Sequence, residues 1–179
     1  MQQALSRPTF SVILNFKYVI AIFLGTLVLA VSAKVKVPLE PIPVTLQSLV
    51  VLLLGMIGGW RYGLVTVITY LSEGLLGLPV FAVPLGPNFG YLMGFIPAVW
   101  IAGYLGERGW CNHVAGCFVT GVMASLAIYV CGVAVLASFI GLQKAFTLGV
   151  VPFMLGDCLK VIFASVTVPG YYTLRKRLS

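Results

Sequence analysis

Residues 150–172 read VVPFMLGDCLKVIFASVTVPGYY, an apolar run holding two opposite charges, Asp157 and Lys160, one helical turn apart. The run is long enough to cross a bilayer as a helix, and lipid gives unpaired backbone groups no other partner. A charge near mid-membrane costs roughly 2.5 to 3.5 kcal/mol on insertion scales, so such groups are rare and usually functional. The i,i+3 spacing puts both side chains on one helical face, where they can share a ligand or pair with each other. Two readings stand open: a structural ion pair holding helices together, or a polar ligand site. Removing either member would strand a buried charge.

The rest of the chain has the same character. Of its 179 residues, 60% are hydrophobic and only 8% charged, whereas a soluble domain is about a quarter charged. The expected fold class is an all-α integral membrane protein, with residues 1–179 forming a single transmembrane domain. Four acids (Glu40, Glu73, Glu107, Asp157) and one histidine, His113, leave little material for acid–base or metal chemistry. No catalytic residue, metal ligand or cofactor is expected. Neither H-E-x-x-H nor G-x-S-x-G occurs, which disfavours an integral-membrane enzyme; a channel or purely structural membrane protein is an equally remote alternative. The formal charge of +7 does not point to nucleic acid, because the basic residues lie at span ends rather than in one patch. Cys111, Cys117, Cys131 and Cys158 form no C-x-x-C pair and read as small packing residues. The N-terminal stretch lacks the compact apolar core and cleavage site of a signal peptide.

Apolar runs and breakers predict about six transmembrane helices, over about 17–33, 45–59, 63–74, 91–106, 113–139 and from beyond Lys144 to Tyr172. The proline-rich stretch 37–43 cannot be regular helix. Trp60, Arg61 and Tyr62 are expected to form a short interfacial turn, and residues 77–87 an irregular loop that re-enters the protein. With both termini cytoplasmic, that side holds Arg7, Lys17, Arg61, Arg108, Arg175, Lys176 and Arg177. The outside then holds only Lys34, Lys36 and Lys144, which follows the positive-inside tendency. The expected location is the plasma (inner) membrane, multi-pass. In this orientation Asp157 and Lys160 lie roughly 10 to 15 Å below the outer surface at 1.5 Å per residue. Thr45, Gln47, Glu73 and the 84–88 loop lie on the same outer side, so a pocket there opens to the exterior.

Three blocks of sequence resemble the BioY family, the biotin-specific substrate-binding (S) components of energy-coupling factor (ECF) transporters. Residues 41–47, PIPVTLQ, resemble the family's P-x-P-V-T-L-Q segment. Tyr70-Leu71, the GLPVFA of 77–82, Gly86-Pro87 and Gly90-Tyr91-Leu92-x-Gly94-Phe95 resemble its G-L-P-V-F-A and G-P-T-G-G-Y-L-x-G-F pattern. Leu155-Gly156-Asp157-x-x-Lys160 resembles its G-D-x-x-K segment. Asn88-Phe89 stands where the family usually has Thr-Gly, and the loop between Phe81 and Gly86 is shorter than usual. The resemblance implies an ECF S-component-like bundle and biotin as ligand, with another small vitamin or cofactor such as lipoate as the alternative.

A ureido ring offers one carbonyl acceptor between two N–H donors, and an aspartate with a lysine can satisfy a carbonyl and a neighbouring N–H together. Biotin's carboxylate would then need Asn88, Gln47 or loop amides. The competing pose puts Lys160 on the carboxylate and leaves the ring to Asn88 and Asp157. Thr45 and Gln47 either cap the second helix or touch the ligand. Tyr91 and Phe89 either pack against the fused rings or sit at the lipid interface. Glu73 reads as a solvated helix end and His113 as interfacial. The chain has no G-x-x-x-x-G-K-[ST] phosphate loop; the resemblance implies a separate transmembrane coupling protein and a pair of ATPases. By the same resemblance a small-residue face on the first helix, here Ala21 and Gly25, docks on that protein, although the pattern also packs helices within one chain.

Overall fold

The computed structural model describes residues 16–39, 42–84 and 86–178, so Arg7, Glu40 and Pro41 lie outside the described residues. The chain is mostly helical. Helix α1 (Phe16–Lys34) is followed by two short strands, β1 (Lys36–Val37) and β2 (Val44–Thr45), then α2 (Gln47–Gly58) and α3 (Trp60–Leu75). Beyond an irregular loop come α4 (Phe89–Glu107), a single 3₁₀ turn at Trp110–Asn112, α5 (Val114–Ile140), α6 (Leu142–Gly149) and α7 (Val151–Leu178).

Local chemistry sets most of these boundaries. Pro38 and Pro43 keep the chain after α1 out of helix, and it turns back on itself as an antiparallel pair with Lys36 opposite Thr45. Gly59, at φ +83°, separates α2 from α3 in a conformation that disfavours other residues. Trp60, Arg61 and Tyr62 therefore belong to α3 itself, and the turn expected there is the one glycine before them. The expected sixth helix is also divided. Pro152 has no N–H to offer the helix behind it, Gly141 (φ +81°) starts a separate α6, and α7 begins afresh at Val151.

Four helices are long and apolar enough to cross a membrane: Phe16–Lys34, Phe89–Glu107, Val114–Ile140 and, within α7, Val151–Arg177. Their length and composition make this a membrane protein. Helices α2 and α3, with 12 and 16 residues, are shorter than an average crossing requires. The sequence expectation of six spans thus meets four long helices, with two shorter ones packed between them.

Helix α4 is the most enclosed, packed against α5, α2 and α3. Small residues permit this closeness, since a Cβ added at Gly94 would lie 2.8 Å from the Ile128 backbone on α5. Outward faces carry large apolar side chains such as Phe23, Leu27, Leu126, Val130, Phe163 and Val166. Buried among the core are Gln47, Asn88 and Lys160. That inversion of the usual soluble pattern brings polar groups together at one end of the bundle.

Candidate ligand pocket

Lys160 lies on α7, with Asp157 one turn before it, and both face the start of α2. The Lys160 Nζ donates to Asp157 Oδ1 at 2.8 Å, to the Thr45 carbonyl at 2.7 Å and to Ser48 Oγ at 2.9 Å. An ammonium has three hydrogens, so all of them are used. Ser48 Oγ donates in turn to Asp157 Oδ1 at 3.1 Å, and Tyr129 on α5 donates to Oδ2 at 2.5 Å. The ion pair is largely withdrawn from solvent, with the two side chains 10% and 13% exposed. Such a pair is tolerable only because charge and hydrogen bonding are both compensated.

A small cavity, partly open to the protein surface, lies beside this cluster. Its polar side holds Thr45, Gln47, Ser48, Asn88, Asp157 and Lys160. Its apolar side holds Tyr91, Leu92 and Phe95 of α4, Ile128 of α5 and Phe153 of α7. Tyr91 and Phe153 stack at 6.0 Å, and the Tyr91 hydroxyl donates to the Gly149 carbonyl at 2.9 Å, which ties α4 to the end of α6. An apolar slot beside a compact polar cluster suits a small amphipathic molecule.

The rim is fastened by backbone carbonyls. Lys34 donates to the Pro79 and Phe81 carbonyls at 2.8 and 3.0 Å, and Lys36 to that of Ala82 at 2.7 Å. From beneath, Gln47 Nε2 donates to the Tyr70 hydroxyl at 2.7 Å, and that hydroxyl donates to the Val80 carbonyl at 3.0 Å. The loop after α3 therefore rests on both α1 and α2. Irregular backbone at such a place is stable because its carbonyls have donors.

Of the residues expected from sequence, Thr45, Gln47, Asn88, Tyr91, Asp157 and Lys160 line this one cavity. The Thr45 hydroxyl accepts the Gln47 backbone N–H at 3.3 Å, so it supports the start of α2 while lining the pocket. Asn88 precedes α4, makes no side-chain cap hydrogen bond, and lines the cavity as a mostly enclosed residue. Phe89, Glu73 and His113 are absent from the cavity wall. Gly25 is buried in the contact of α1 with α3: a Cβ there would lie 2.6 Å from Thr66 Cγ2. The Ala21 carbonyl accepts the Tyr62 hydroxyl at 2.7 Å. Gly25 thus packs within the chain, whereas Ala21 is half-buried and meets α3 through its backbone carbonyl. Sequence reasoning missed Ser48, Tyr129 and Phe153. The signal for Tyr129 was available: a lone phenol deep in the apolar α5 needs a hydrogen-bond partner.

A family model described as the BioY family matches residues 2–177. A protein named biotin transporter BioY from Thermotoga maritima is 37% identical over 149 residues, spanning 79% of this chain and 87% of that one. A probable biotin transporter BioY from Pyrococcus horikoshii is 39% identical over 144 residues, spanning 76% and 85%. Among solved structures, the S-component for biotin from an ECF-type ABC transporter superposes with a TM-score of 0.75. It covers 89% of this chain and 91% of its own, and at 23% identity it speaks for the fold.

Proposed function

The chain belongs to the BioY family, and we propose that it captures biotin outside the cell and serves its uptake as the substrate-specific subunit of an ECF transporter. The observation that carries this reading is the single cavity where Asp157, Lys160, Asn88 and a stacked aromatic wall converge. It supplies both halves of what the ligand's chemistry demands. A ureido carbonyl needs donors and its N–H groups need acceptors, while the fused rings and aliphatic chain need apolar surface.

Lys160 has no hydrogen left over, so a ligand oxygen approaching it must share or replace an existing bond. Asn88 offers a donor and an acceptor. In our reading its amide meets the ureido group together with Asp157, and Lys160 supplies the field that keeps the polar end in place. Gln47 and Thr45 hold the α2 wall of the site.

In the membrane we place both termini on the cytoplasmic side, so the cavity opens outward from the plasma membrane. The subunit acts as a binding and translocating component rather than an enzyme. A transmembrane coupling protein and a pair of ATPases supply the energy. The test is radiolabelled biotin binding to the detergent-purified chain, with native mass spectrometry of the complex. Stoichiometric binding that excess unlabelled lipoate fails to displace supports the reading. Displacement by lipoate, with weak retention of biotin, would move the chain to another cargo on the same scaffold.

A further inference from the structure

Asp157 and Tyr129 line two cavities at once. One is the ligand pocket. The other is an apolar groove on the outer surface between α5 and α7, walled by Phe118, Val122, Leu126, Met154 and Cys158. Both helices are long and apolar enough to span the membrane, so this groove faces lipid. The Asp157 carboxylate therefore stands at the partition between an aqueous pocket and the hydrocarbon. Two donors hold its Oδ1 toward the pocket, Lys160 at 2.8 Å and Ser48 at 3.1 Å, and Oδ2 has the Tyr129 hydroxyl at 2.5 Å.

From this arrangement we infer that Tyr129 is a positioning residue of the binding site. Its hydroxyl pins Oδ2, which keeps the carboxylate plane turned toward the ligand and stops the acid from swinging into the groove. The ring fills the seam between α5 and α7, and the hydroxyl closes it. The identity of the ligand rests on the biotin reading; the restraint on Asp157 does not.

Two measurements on Tyr129→Phe test the two parts. In proteoliposomes without ligand, the membrane-soluble reagent dicyclohexylcarbodiimide reports how often the Asp157 carboxyl reaches the hydrocarbon. The adduct is located by peptide mass spectrometry, with Asp157→Asn as the unlabelled control. Faster labelling in Tyr129→Phe, by roughly tenfold as expected for losing a hydrogen bond to a charged group, supports the restraint; an unchanged rate overturns it. Biotin affinity should fall by a similar factor in the same variant, measured on protein that a cooperative melting transition in detergent shows to be folded. Faster labelling at undiminished affinity would overturn the positioning role. Failure of the parent chain itself to bind biotin would overturn the cargo assignment, while the labelling rates still decide the restraint.

Discussion

Lys160 keeps a charge inside the bundle because each of its hydrogens has an acceptor supplied by a different feature. One acceptor is on its own helix, one is the strand carbonyl of Thr45, and one is the first turn of α2. Lys160→Ala leaves the Asp157 charge with the Ser48 and Tyr129 hydroxyl donors among the described residues, and biotin affinity should drop by at least about tenfold. Lys160→Arg should rescue little, because a planar fork does not reach three acceptors arranged around one point. Asp157→Asn removes the acid paired with a buried ammonium, and loss of one partner of such a pair costs about 3–5 kcal/mol. Its melting temperature should fall along with binding. Near-parental affinity in both Lys160→Ala and Asp157→Asn would mean that the pair serves structure alone. Gln47→Leu would leave the Tyr70 hydroxyl without its donor. A loss of about 1–3 kcal/mol in stability is expected.

Helix α1 has two faces with different work. Gly25, Thr26 and Leu29 are buried against the bundle, while Phe23, Leu24, Leu27 and Val28 are exposed. Gly25→Leu must push Thr66 and Tyr62 aside, and overpacking of this kind costs about 1–3 kcal/mol. Leu24→Trp, on the exposed face, should leave the melting temperature unchanged. If that variant retains biotin binding but impairs uptake, the partner docks on the exposed face instead of on the small residues. The loop after α3 is held by the Lys34 and Lys36 ammonium groups above and by Tyr70 beneath, whose hydroxyl meets Val80 and whose ring packs on Phe81. Replacing Lys34 and Lys36 together with alanine should quicken amide exchange across 80–82 and speed biotin release several-fold, as low-stability segments open first.

At the scale of the molecule, function depends on which way the cavity faces. Impermeant reagents applied to intact cells should leave cysteines introduced at either terminus unlabelled, while reaching one placed in the loop at Gly86. Labelled termini would point the pocket toward the cytoplasm and end the capture reading. Binding and uptake should also separate: on the proposed reading, the purified chain should bind biotin alone, and cells expressing it without energy-supplying partners should fail to accumulate labelled biotin.

The membrane character and most helix limits were legible in the sequence, because lipid leaves a long apolar run few conformations and proline or glycine marks where it stops. The Asp157–Lys160 pair was legible for a related reason: its charges stand out against apolar surroundings and its spacing is local to one helix. The break before α7 was harder to read, since hydropathy runs unbroken across it. Tertiary structure alone decided that Tyr129 and Ser48 complete the ion pair, that Phe153 stacks on Tyr91, and that Gly25 faces inward. Each of these contacts joins segments far apart along the chain. A local pattern fixes which face of a helix is polar or small; only the packing of helices against one another determines what that face meets.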